Sequence, residues 1–148
     1  MSTDDPLAYQ VFNEIGIIDQ LASHTFTQSL PRGMTIAQFG ILNHFVRLGH
    51  DYRTPAQLAS AFQVSRPTMT NTLARLERRG LVEIAPDPAD GRAKRVSITA
   101  SGVAMREECL TRLAGPLAEV NEQVPDDLLQ QLLPLLADLR QILDRMRD

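Results

Sequence analysis

The stretch TPAQLASAFQVSRP, residues 54–67, places two helix starts only eleven residues apart. Thr54 precedes Pro55, whose missing N–H costs nothing at a first helical position, and Gln57 can reach back to complete a capping box. Ser65 offers a second cap, with Pro67 close behind it. At 3.6 residues per turn, about two to three helical turns fit between those starts. The first helix must therefore stop, turn at Gln63-Val64 and hand over to the second. Two short helices joined by a tight turn fit the pattern of a helix-turn-helix.

The second of these helices, SRPTMTNTLARLERRG, is two-sided. Met69, Leu73 and Leu76 recur at spacings of 4 and 3 and should face a core. Pro67, Asn71, Ala74 and Arg78 lie opposite, flanked by Thr68, Thr70 and Arg75. Threonine and asparagine are weak helix formers, so their concentration in the opening turns implies that they face a partner. Gly80 should close the helix, and LVEIA and RVSIT then alternate as two short strands. Asp90-Gly91 reads as the hairpin turn between them. The stretch PDPADGRAKRV is thus the tip and returning side of a hairpin, and it carries Arg92, Lys94 and Arg95.

The flanking segments read as helices. Residues 7 to about 30 carry Val11, Ile15, Ile18 and Ala22 on one face, with Ile17, Leu21 and His24 as a second stripe, before Pro31-Arg32-Gly33 stops the helix. TIAQFGILNHFVRLG has a capping box at Thr35 and Gln38, an expected buried stripe of Phe39, Leu42 and Phe45-Val46, and Gly49 as its left-handed stop. In the short helix after Thr54 the expected buried set is Leu58, Ala61 and Phe62. Thr99 should cap a helix from about 100 to 122 with Val103, Leu110, Leu113, Leu117 and Val120 on one side, bent at Gly115-Pro116. Pro125 starts the last helix, where Leu128, Leu132, Leu135, Leu139, Ile142 and Met146 form a heptad-like seam, with a kink expected at Pro134. An intramolecular core helix could use such a seam. Because the first helix also has two apolar stripes, a homodimer is expected, with Val11, Ile15, Leu128, Leu132, Leu135, Leu139 and Ile142 at its interface.

Charge singles out the middle of the chain. Between Arg53 and Arg95 stand eight basic and four acidic residues, a net of +4 in a chain whose total is -3. The flanks therefore hold -7. Screening confines each field to about 8 Å at physiological salt, so a local basic patch attracts a polyanion regardless of the total. The acidic start MSTDDP differs from a signal peptide, and no apolar run reaches a membrane span of roughly 18 residues, so a cytoplasmic protein without a membrane partner is expected. Cys109 is the only cysteine. No glycine-rich phosphate loop, nucleophile elbow or metal-hydrolase spacing is present, and His24, His44 and His50 lack ligand spacing. No enzyme, cofactor or metal site is expected.

The order helix, helix, polar-faced helix, basic hairpin is that of a winged helix-turn-helix. TPAQLASAFQVSRPTMTNTLARLERRGLVEIAPDPADGRAKRVSITASG resembles the DNA-binding core of the MarR family of bacterial transcription regulators. Its most specific elements are LERRGLVE and DPADGRAKRVSIT, with an Asp-x-Arg wing signature at Asp90 and Arg92. The resemblance implies a mainly α chain with a small β-hairpin wing. In the single chain 1–148, residues 35–99 would form the winged helix-turn-helix, and residues 1–30 and 100–148 the dimerisation helices.

The resemblance also implies roles for individual residues. Ser65, Arg66, Pro67, Thr68, Thr70 and Asn71 would enter the major groove of double-stranded DNA, and Arg75 would touch phosphate or a base edge. Arg92 would enter the minor groove with Asp90 holding its guanidinium, while Lys94 and Arg95 meet phosphate. Two departures stand out: Gln63 occupies a turn where the family often has Gly, and Gly91 a position where many members have a basic residue.

By the same resemblance the chain would bind a pseudo-palindromic operator as a homodimeric repressor, released by a small aromatic or phenolic acid. His24, His44 and Arg47 are the candidate effector contacts. A winged-helix module that binds protein instead of specific DNA is the alternative, since the fold alone does not decide function.

Overall fold

Side chains that satisfy orphan backbone groups punctuate the chain. In this computed structural model, which describes residues 4–147, the hydroxyl of Thr35 accepts from Gln38 N and that of Thr54 from Gln57 N, both at 3.1 Å. The two glutamine side chains return the favour to the cap N–H groups, completing both capping boxes. The elements that follow are α1 (Leu7–Ser29), α2 (Ile36–Leu48), α3 (Pro55–Phe62), α4 (Arg66–Arg78), β1 (Val82–Pro86), β2 (Lys94–Ile98), α5 (Ala100–Gln123) and α6 (Asp126–Met146). The chain divides into two compact units between Leu113 and Ala114, within α5.

The first unit is built around one apolar cluster. Ile41, Leu42 and Phe45 of α2, Leu58 of α3, Leu73 and Leu76 of α4, and Val96 of β2 are all essentially inaccessible. Burying each such side chain is worth about 1.5–3 kcal/mol, enough to overcome weak intrinsic helix preference in α4. The strands pair antiparallel from Val82↔Ile98 to Pro86↔Lys94. Arg53 and Val96 exchange both backbone hydrogen bonds, at 2.8 and 2.7 Å, so the loop before α3 is stitched to the hairpin.

Four sequence expectations shift here. In α2 the buried set is Gln38, Ile41, Leu42 and Phe45, while Phe39 and Val46 are half-buried. That helix meets α1, α4 and β2, so its covered arc is wider than one stripe. In α3, Ala59 is buried and Ala61 only partly, because the helix lies against both α4 and β2.

In α5 the packed face is Gly102, Cys109 and Leu113 with Met105 beside them; Val103, Leu117 and Val120 are exposed. The backbone at Gly102 lies against Leu81 and Ile98, a closeness that only a residue without a side chain permits. The helix continues through Pro116 to Gln123, as α6 does through Pro134.

The hairpin is the fourth. Asp90-Gly91 does not form a two-residue turn, and Gly91 lacks the positive φ such a turn demands. The strands instead end at Pro86 and Lys94, leaving residues 87–93 as a loop. Pro88 has no N–H to extend the ladder. Two aspartates organise the loop: Ala89 N donates to Asp87 Oδ1 at 2.9 Å, and Arg92 N to Asp90 Oδ1 at 3.1 Å. Asp87 N to Ala93 O closes its base at 2.9 Å.

Candidate nucleic-acid interface

Helix α4 begins where α3 stops on a left-handed residue. Gln63 has φ 52 and ψ 44, and its own side chain donates to Ser60 O at 2.7 Å, which offsets part of the steric cost of that conformation. Two residues later Ser65 caps α4, accepting from Thr68 N at 3.2 Å and donating to Thr68 Oγ1 at 2.8 Å. Its hydroxyl is therefore engaged within the first turn.

The two faces of α4 separate cleanly. Met69, Leu73 and Leu76 are 2, 1 and 0% exposed. Arg66, Pro67, Thr68, Thr70, Asn71 and Arg75 are all exposed. Thr72 donates to Thr68 O at 3.0 Å and is half-buried, whereas the side chains of Thr70 and Asn71, like those of Arg66 and Arg75, are exposed and have no bond to another side chain or backbone group among the described residues. This pairing of a sealed apolar rear with an open polar front presents short hydrogen-bonding side chains on a rigid rod.

The wing is fixed to that rod. Ile84 N of β1 donates to Glu77 Oε2 of α4 at 3.2 Å, and Thr99 Oγ1 at the end of β2 donates to Gly80 O at 2.6 Å. Glu77 therefore joins the site through its carboxylate, and Arg53 through its backbone pair with Val96; their spacing in the sequence signalled neither contact. At the tip, Arg92 is exposed and has no ion pair among the described residues. Asp90 holds the backbone N–H of Arg92 and not its guanidinium, which is the physical form its support takes.

Lys94 is exposed. Its neighbour Arg95 is turned inward: the guanidinium carbon sits 3.8 Å above the Tyr52 ring, and Nε lies 3.5 Å from Asp87 Oδ1.

The sequence model of the MarR family matches residues 32–93, from the turn before α2 through the wing loop. Residues 32–93 of the chain therefore carry the MarR family pattern. Among solved MarR structures, a cysteine-to-serine mutant of MarR from E. coli aligns with a TM-score of 0.75 over 93% of this chain and 98% of that one, at 27% identity. The same mutant complexed with operator DNA gives a TM-score of 0.71 over 91% and 99%, at 26% identity. The PcaV transcriptional regulator from Streptomyces coelicolor, in complex with its natural ligand, shares the fold at 20% identity, with a TM-score of 0.71 over 95% and 98%. The chain thus has the fold of a MarR transcription regulator, mainly helical with a two-stranded wing.

The three candidate effector residues lie on two helices, His44 and Arg47 on α2 and His24 on α1. His44 is half-buried on α2, with ring contacts to Phe62 at 5.3 Å, His50 at 6.1 Å and Phe45 at 6.4 Å. Burial, reinforced by Arg47, His50 and Arg53, pushes its pKa below the ordinary histidine value. Arg47 and His24 are exposed, the latter 3.4 Å from Gln28. An apolar pocket of about 110 Å³ opens between α2, α3 and α4, lined by Ala37, Ile41, Phe62, Val64, Thr68, Met69 and Thr72. None of the three effector candidates borders it; His44 touches it only through Phe62.

Of the interface candidates, Val11, Leu128, Leu132, Leu135 and Ile142 are exposed, and Ile15 and Leu139 half-buried. No residue of α1 or α6 is buried within the single chain.

Proposed function

We propose that the chain is a sequence-reading DNA regulator in which α4 and the wing grip duplex DNA together. The observation that carries this reading is the open polar front of α4 locked to an unpaired wing-tip arginine by the Glu77–Ile84 and Thr99–Gly80 bonds. A helix of this width fits the major groove, where Thr68, Thr70 and Asn71 meet base edges. Arg66 and Arg75 flank them, and Ser65 and Pro67 set the start of the helix. Arg92 then reaches the narrow, electronegative minor groove alongside, and Lys94 meets phosphate. The likeness to a MarR structure complexed with operator DNA, at 26% identity, supports a DNA partner.

A homodimer completes the reading. The apolar rows of α1 and α6 have no cover within the chain, and a second copy supplies it. Two winged units then address a pseudo-palindrome with half-sites about 34 Å apart. The regulator acts as a repressor in the cytoplasm and is released by a small aromatic or phenolic acid. Aromatic rings at His44 and Phe62 and the cation of Arg47 offer partners of that chemistry, and PcaV with its natural ligand is a precedent for the fold.

Salt titration of duplex binding tests the DNA reading. The logarithm of affinity should fall linearly with that of salt, with a slope of about -0.9 per phosphate neutralised. At matched salt, Arg92→Ala should weaken binding by about 1–3 kcal/mol without lowering the melting temperature. A flat salt response would favour the protein-binding module.

A further inference from the structure

Two adjacent cations on β2 have opposite fates. Lys94 is exposed, whereas the Arg95 side chain keeps only 33% of its surface. Its Nε has no solvent contact and no hydrogen bond, with Asp87 Oδ1 3.5 Å away as its electrostatic partner. The flat guanidinium lies over the Tyr52 ring at 3.8 Å. Arg95 thereby ties the α2–α3 loop at Tyr52, distant in sequence, to strand β2 and to the first residue of the 87–93 loop.

The backbone reinforces the same junction. Arg53, next to Tyr52, exchanges hydrogen bonds with Val96, next to Arg95. Asp87 Oδ1 also receives Ala89 N, and Asp87 N closes the loop on Ala93 O. A shift of the guanidinium would thus be felt at both ends of the loop that carries Arg92.

We infer that Tyr52, Arg95 and Asp87 form a clamp that sets the pose of the wing, and that Arg95 is a positioning residue, not a phosphate contact. The inference rests on the DNA reading above. It requires an arginine, because a planar guanidinium can stack on a ring and address a carboxylate at once, whereas a lysine ammonium is a compact, strongly hydrated point charge. Tyr52 needs only its ring.

The test uses the full chain, an operator duplex selected from a random pool, and Arg95→Lys, Arg95→Ala, Tyr52→Phe and Tyr52→Leu variants. Tyr52→Leu should weaken operator binding about 2- to 30-fold, and Tyr52→Phe should restore it. Arg95→Lys and Arg95→Ala should lose affinity alike and keep the wild-type salt slope. The effect of Tyr52→Leu should vanish in an Arg92→Ala background and persist in an Arg75→Ala background, which general damage to the fold would not produce. Without DNA, amide exchange should quicken in residues 87–93 and stay unchanged in α4.

Three results would overturn the clamp: full activity of Arg95→Lys with a slope reduced by about 0.9 in Arg95→Ala, equal losses in both backgrounds, or unaltered exchange in the loop. Failure of the wild type to bind any selected duplex would remove the DNA reading itself, and the clamp's role in DNA binding with it.

Discussion

At Gly102 the chain has no room for a single methyl group. A Cβ there would collide with the Leu81 carbonyl oxygen and stand 2.7 Å from Ile98 Cγ1. Gly102→Ala is therefore expected to cost about 1–3 kcal/mol, seen as a lowered melting temperature, since backbone and not a flexible side chain must give way. Gly91→Ala meets open space and should melt like the wild type. His44 provides a pH test. Burial lowers its folded pKa, so as pH falls below about 6.5 the unfolded chain takes up the proton first and stability declines. Denaturation midpoints at pH 7.5 and 5.5 should differ by less in His44→Gln than in the wild type; equal differences would show that the ring is not responsible. Sequence order could not rank Lys94 against Arg95, because adjacent cations look alike until the Tyr52 ring and the Asp87 carboxylate are placed beside one of them.

Helix starts were legible because each is a local event. Thr35 with Gln38, Thr54 with Gln57, and Ser65 each satisfy backbone groups within three residues, so sequence spacing alone announces them. The faces of α4 were legible for the same reason, as one neighbour, α3, covers its apolar rear most extensively. The wing loop and the packed face of α5 were not. Asp90-Gly91 is a strong local turn signal, yet the ladder ends after Pro86↔Lys94, and Pro88 has no N–H to extend it. The face of α5 was read from its large apolar residues, whereas its docking depends on the absence of a side chain at Gly102. Gln63 holds a conformation that costs a non-glycine residue roughly 1–2 kcal/mol, partly returned by its bond to Ser60. Gln63→Gly should raise stability by about 0.5 kcal/mol after glycine's own entropy cost, read from a denaturant midpoint at constant slope.

Across the whole molecule, charge and apolar surface are allotted to different tasks. The net +4 lies between Arg53 and Arg95, and the -7 of the flanks accompanies leucines such as Leu133 and Leu135, which are 71 and 65% exposed. Sedimentation at micromolar concentration should show a dimer, and Leu135→Arg should shift it towards monomer; an unaltered mass in both would remove the proposed role of α6. If α4 and the wing read duplex DNA as one unit, selection of bound duplexes from a random pool is the decisive experiment. Enrichment of a pseudo-palindrome with half-sites about 34 Å apart, lost in an Arg92→Ala chain at the same salt, is the expected result. A pool that emerges unenriched, bound equally well by both proteins, would contradict it.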